Sequence, residues 1–224
     1  MFHKHILPLH DTFSSLSVSC RFESITKGRE GAVLIEPKNN QIPIVRTTTK
    51  YSTPAQCFNR SHKQIALLVP QLEYNNALVE IYDKRYCTMG FHSDQALDLD
   101  PASYIVIFSC YDNLEVSPEQ CRKLIIKNKE TQELSEIIME HNSVIVFSVS
   151  VNSKFLHKIV SSSTDDIIWL GITFRKSQTY VQFCNEIPYL LCGTELTLAT
   201  PEQEKSSTNV EAQRTILPHM SIQR

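Results

Sequence analysis

Three side chains in this sequence have the types and spacing to hold one divalent cation. His92 and Asp94 lie one residue apart in FHSDQ. In an extended chain, side chains alternate with period two, so both point to the same face. A strand end there could aim an imidazole and a carboxylate at one ion. A second imidazole, His157, lies downstream in SKFLHKIV, after a long apolar stretch. Two imidazoles and a carboxylate suit a borderline divalent metal, and such a set leaves three octahedral positions open. Eighteen residues further on, Arg175 ends the apolar run IIWLGITFR, with Ser177 two residues beyond it. A guanidinium and a hydroxyl on one face suit a carboxylate ligand.

The elements that must position these groups are mostly strands. Runs rich in Val, Ile, Phe and Tyr occur at Gly31–Glu36, Gln41–Thr47, Ala77–Tyr82, Ser103–Cys110, Arg122–Lys127, Ser143–Val151, Phe155–Val160 and Ile167–Arg175. Several alternate between faces: Val144, Val146 and Ser148 fall on one, and Ile145, Phe147 and Val149 on the other. Thr131–Glu140 reads as a short helix or turn, with a Thr cap and Leu134, Ile137 and Ile138 at helical spacing. Ser61–Leu68 reads as helix or strand. Many short strands, few helices and no βαβ rhythm predict a mainly β fold: a double-stranded β-helix, or jelly roll, with a few flanking helices.

The length of 224 residues predicts a single domain over 1–199, with a polar, weakly ordered tail over 200–224. The first 15 residues, including His3, His5 and His10, read as a mobile terminus. Five glycines and no Gly-x-Gly-x-x-Gly or Walker pattern exclude a phosphate loop of those kinds. The seven cysteines are odd in number and lack Cys-x-x-Cys spacing, so free thiols in a reducing space are expected. No apolar run reaches the roughly 20 residues of a membrane span, and no signal peptide is evident, which predicts a cytoplasmic protein without a membrane partner. The net charge is −2 and the pI about 6.4. A nucleic-acid partner is therefore possible but not indicated by charge.

The order Tyr82…His92-x-Asp94…His157…Arg175 resembles the Fe(II)/2-oxoglutarate dioxygenase superfamily. The stretches ALVEIY, HSD, NSVIVFSVSVNSKFLHKI and GITFRKS are similar to its AlkB-like branch, over roughly residues 75–180. The resemblance implies Fe(II) held by His92, Asp94 and His157, the facial triad of non-haem iron oxygenases. It also implies 2-oxoglutarate and O₂ as cosubstrates, with 2-oxoglutarate taken by Arg175, Ser177, Tyr82 and Thr173. Oxygen activated at the iron would then hydroxylate a substrate C–H as CO₂ and succinate leave. A carbon attached to nitrogen would be lost as formaldehyde. The branch's Arg-x-Asn-x-Thr-x-Arg pattern fits in two registers. With Arg175 last, Trp169, Gly171 and Thr173 precede it. With Arg175 first, Ser177 and Thr179 follow, and that register is the better match in spacing from His157. One family arginine is absent either way.

Glu80 stands where the branch often has Asn. Arg46, Thr48 and Tyr51, in VRTTTKYS, fall where the branch forms a substrate lid, so these three and Glu80 are candidate substrate contacts. The substrate is unidentified: a methylated nucleic acid, a protein side chain or a small molecule. Two other classes compete. One is a catalytically silent jelly-roll binding module; the other is a cupin-like metalloenzyme without 2-oxoglutarate, which would need no Arg175–Ser177 clamp.

Overall fold

The computed structural model describes residues 1–196 apart from 71, 162 and 186; the expected tail over 200–224 lies outside the described residues. In chain order the elements are β1 (His3–Ile6), α1 (Phe13–Leu16), β2 (Glu23–Thr26), β3 (Arg29–Ile35), β4 (Ile42–Pro43), β5 (Gln56–Cys57), α2 (Arg60–Leu67), β6 (Asn76–Tyr82), β7 (Tyr104–Tyr111), β8 (Lys123–Asn128), β9 (Leu134–Ile138), β10 (Ser143–Ser148), α3 (Val149–Lys154), β11 (Phe155–Val160), β12 (Trp169–Arg175), β13 (Tyr180–Cys184) and β14 (Ile187–Leu190).

The main sheet runs β1-β10-β7-β12-β6-β3-β2, with β5 added beside β3. Apart from the parallel β3–β5 pair, its ladders are antiparallel. Strands distant in sequence are neighbours: β12 lies between β6 and β7, and β10 between β7 and β1. This is the interleaving of a jelly roll. Two three-stranded sheets, β11-β8-β9 and β14-β13-β4, complete it.

Both faces of the main sheet are buried, which is why its strands read as nearly continuous apolar runs. One face places Leu34, Ala77, Val79, Val106, Phe108, Val144, Ile172 and Phe174 against Leu16, Ile65 and Ala66 of the helices. The opposite face places Tyr82, Ile105, Ile107, Tyr111, Ile145, Phe147 and Trp169 against Leu124, Ile126 and Ile159 of the β11-β8-β9 sheet. Each fully buried large side chain contributes about 1.5–3 kcal/mol of transfer free energy. The second of these two layers encloses the site.

Several elements differ from the sequence expectation. Thr131–Glu140 forms no helix. Asn128 Oδ1 accepts from the N–H groups of Glu130 and Thr131, Gln132 adopts φ 61°, and the chain returns as β9 against β8. The local Thr cap therefore loses to an Asn-anchored hairpin. The run Ser143–Val151 stops at Ser148, whose hydroxyl accepts from Val151 N–H and starts α3. Of Gln41–Thr47, only Ile42–Pro43 enters a ladder. The terminus carrying His3 and His5 is an edge strand paired with β10. The ambiguous segment Ser61–Leu68 is helical, capped by Asn59.

Candidate active site

His92 and His157 sit directly opposite each other in an antiparallel bridge. Each donates its backbone N–H to the other's carbonyl, at 3.0 and 2.7 Å. This pairing puts both imidazoles on one face, with ring centroids 4.6 Å apart. The strand period then carries Asp94 to the same face. His157 Nε2 lies 3.8 Å and His92 Nε2 4.0 Å from Asp94 Oδ1. One donor atom from each residue falls within 4.8 Å of the others. Metal bonds of about 2.1 Å at right angles place donors about 3 Å apart, so the set closes on an ion with small side-chain rotations.

The surroundings hold these groups in ligating forms. His92 Nδ1 lies 3.1 Å from the carbonyl of Gly90, an acceptor only, so Nδ1 donates there and Nε2 is the nitrogen turned toward Asp94. His157 is buried, against Phe147 at 5.6 Å between ring centres. Burial pushes its pKa down to about 4, keeping it the neutral imidazole a metal binds. Burial alone would raise the Asp94 carboxyl. The guanidinium of Arg175, then His157 and His92, outweigh that and hold it below the usual carboxylate range. Arg175 Nε donates to Asp94 Oδ2 at 3.0 Å, leaving Oδ1 toward the histidines.

Asp94 is also clamped through its backbone. Its N–H donates to Asn152 Oδ1 and its carbonyl accepts from Asn152 Nδ2, both at 2.9 Å. Asn152 lies in α3 and is 1% exposed. Ser93 Oγ donates to the Phe155 carbonyl, tying the ligand segment to the start of β11. Sequence reasoning did not find Asn152. Its only signal was an uncharged polar residue in the break between the strand runs on either side of α3.

A cavity of about 320 Å³ opens on the triad. His92, Asp94, His157, Thr173, Arg175, Arg46, Thr48 and Glu80 line it, together with Arg29, Tyr86 and Phe91. Tyr82, Tyr51 and Ser177 are not among the lining residues. Tyr82 is fully buried, with its hydroxyl on Glu80 Oε2 and its ring against Trp169. Tyr51 packs in a third cluster with Val33 and Ile44, its hydroxyl 3.4 Å from Glu80. Ser177 lies beyond the end of β12, where its hydroxyl reaches the carbonyls of Asp98 and Thr179.

The inward face of β12 therefore carries Trp169, Gly171, Thr173 and Arg175. The indole of Trp169 lies over Gly171, where an added Cβ would stand 2.0 Å from Cη2. Glu80 is held by Arg29 on one oxygen and Tyr82 on the other. His141 lies outside the triad, its Nδ1 accepting from the Tyr111 N–H. Asp165 and Asp166 pair with Gln120 and Lys84, not with Arg175.

The model of the 2OG-Fe(II) oxygenase superfamily matches residues 15–215. The chain belongs to that superfamily. Its cosubstrates are accordingly 2-oxoglutarate and O₂ and its metal Fe(II), and the protein is an Fe(II)/2-oxoglutarate-dependent dioxygenase. Among solved structures, it is similar to a Pseudomonas putida prolyl-4-hydroxylase, with 13% identity over 78% of this chain and 92% of that one, TM-score 0.46. It is also similar to OsALKBH1, with 11% identity over 74% and 90%, TM-score 0.47. No curated protein matches the sequence. The donor set fits the superfamily's iron: two imidazoles and an ionised carboxylate, all hard or borderline ligands. Among the described residues, no helix is long and apolar enough to cross a membrane.

Proposed function

We propose that this oxygenase is of AlkB-like type and hydroxylates, or oxidatively demethylates, a substrate that enters the 320 Å³ cavity. The observation that carries the proposal is the convergence of His92, Asp94 and His157 at that cavity, with Arg175 braced on Asp94. The stretches ALVEIY, HSD and GITFRKS support the branch.

In this reading His92, Asp94 and His157 hold Fe(II) on one face. Bound iron with 2-oxoglutarate supplies the oxidising power that turns a substrate C–H into C–OH. Arg175 spends only Nε on Asp94, so its two terminal nitrogens, which have no acceptor among the described residues, are available to a cosubstrate carboxylate. Thr173 lines the cavity on the same strand face. Tyr82 acts at one remove, orienting Glu80 from beneath. Arg46, Thr48 and Glu80 meet the substrate. Tyr51 supports Glu80 from behind. The apolar wall of buried Ile107 and Ile159 and half-buried Leu78 keeps water from the reacting carbon.

The test is anaerobic 2-oxoglutarate binding, then succinate and formaldehyde release on admitting air. Methylated nucleosides, methylated peptides and N-methyl metabolites would be screened. Formaldehyde in step with succinate for one class supports the proposal. Arg175→Met should weaken 2-oxoglutarate at least ten-fold while Mn(II) still binds. Unchanged cosubstrate affinity in Arg175→Met would remove Arg175 from its role.

A further inference from the structure

Three guanidiniums line the cavity: Arg175 is assigned to the cosubstrate and Arg29 is paired with Glu80, which leaves Arg46 unexplained by metal and cosubstrate. Arg46 lines the same cavity as the triad, yet its side chain is only 6% exposed. Its Nε is fixed by Asp98, itself anchored through its carbonyl to the Ser177 hydroxyl and the Gln178 N–H. Its Nη2 is shut off from bulk water and has no acceptor among the described residues. A buried N–H without an acceptor is costly, and a cationic one more so. Such a group calls for an explanation, and at a cavity wall a ligand that completes it is one. Beside Arg46, Thr48 lines the cavity with a hydroxyl engaged by no described residue.

Another residue lining the cavity points to the same charge. Phe91 carries the ammonium groups of Lys127 and Lys158 against its ring, at 5.7 and 4.7 Å. Neither lysine has a carboxylate within salt-bridge distance among the described residues. Two ammonium groups without a carboxylate partner therefore flank a lining residue of the cavity, although the protein as a whole carries a net charge of −2.

We propose that Arg46, with Thr48, is an oxyanion-binding subsite for the substrate, so that the molecule oxidised carries a phosphate or carboxylate near the reacting carbon. This rests on the oxygenase reading above and extends it by naming the substrate's charge. Arg175 serves the cosubstrate and Arg46 serves the substrate, each guanidinium held through Nε by its own aspartate. A planar fork pinned at one nitrogen keeps its remaining edge rigid for a bidentate partner.

The experiment is calorimetric titration of the full chain, loaded with Mn(II) and 2-oxoglutarate, with methyl phosphate and separately with acetate. The paired variant Arg46→Met/Asp98→Asn removes the guanidinium without stranding a buried carboxylate; Arg46→Lys is the partial rescue. One of the two anions should bind with unit stoichiometry. The paired variant should weaken it at least ten-fold, and Arg46→Lys should restore part of that. Mn(II) and 2-oxoglutarate affinities should stay within two-fold. Methyl phosphate as the better ligand assigns a phosphate-bearing substrate, and acetate a carboxylate-bearing one. No binding of either anion to the loaded wild type, or binding unaltered by the paired variant, overturns the subsite. Loss of 2-oxoglutarate in the paired variant overturns it too, since Arg46 would then be serving the cosubstrate. Failure of the wild type to take up Mn(II) or 2-oxoglutarate would instead sink the oxygenase reading itself.

Discussion

Asn152→Ala should uncouple Asp94 from the fold. The amide makes two 2.9 Å hydrogen bonds to the backbone of Asp94, one in each direction, from a position 1% exposed. Removing them forfeits roughly 1 kcal/mol net for each bond, and leaving a buried backbone N–H or C=O unpaired costs about 1–3 kcal/mol more. The expected loss of unfolding free energy for the metal-free protein is about 3–5 kcal/mol. The ligand consequence is separate: supporting residues of metal ligands typically control affinity by about 10–100-fold. Urea unfolding measures the first quantity, and Mn(II) titration at a urea-free, fully folded condition measures the second. Phe174→Leu is the control. Phe174 is fully buried in the opposite layer, so it should lower stability without moving Mn(II) affinity. If Asn152→Ala loses stability but binds Mn(II) within two-fold of wild type, Asn152 is only packing and the positioning argument fails.

Other consequences follow from single contacts. Gly171→Ala drives a methyl into the Trp169 indole, so it should cost at least about 1–3 kcal/mol and shift the emission of the chain's one tryptophan; unchanged emission and stability would mean the indole does not rest there. His62 links acid stability to the cap of α2. Its Nδ1 accepts from the Asn59 N–H, its Nε2 meets Ser19 Oγ, and burial pushes its pKa down to about 4. The folded state thus refuses a proton that the unfolded state binds below about pH 6.5, so stability is full above that pH and falls as pH drops toward 4. At about 1.4 kcal/mol per pH unit the ceiling is about 3 kcal/mol. His62→Gln, which can keep the capping contacts without titrating, should flatten the stability–pH curve across this window; an equal slope would refute the assignment.

Much of the site was legible because the ligands obey strand periodicity. His92-x-Asp94 needed only alternation, and the burial of both main-sheet faces appears directly as apolar runs such as Tyr104–Tyr111. What could not be read depends on contacts remote in sequence. The pairing of Asn152 with Asp94 spans 58 positions, and that of Arg46 with Asp98 spans 52. Nothing local to either residue announces its partner. The Thr131–Glu140 reading failed for the converse reason. Its helical spacing was real, but the Asn128 side chain and the β8 edge offered the backbone better hydrogen bonds. Ser177 satisfied the period-two rule on paper, yet β12 ends at Arg175 and Ser177 bridges to Leu99, with its hydroxyl taken by the carbonyls of Asp98 and Thr179.

The claim on which the account depends is that three side chains share a single divalent ion. Mn(II) titration followed by electron paramagnetic resonance tests it most directly. The account predicts one site per chain in the wild type and none in His157→Ala or Asp94→Ala, both checked as folded by circular dichroism. Absence of a stoichiometric site in the wild type, or a site that survives loss of His157, would contradict it.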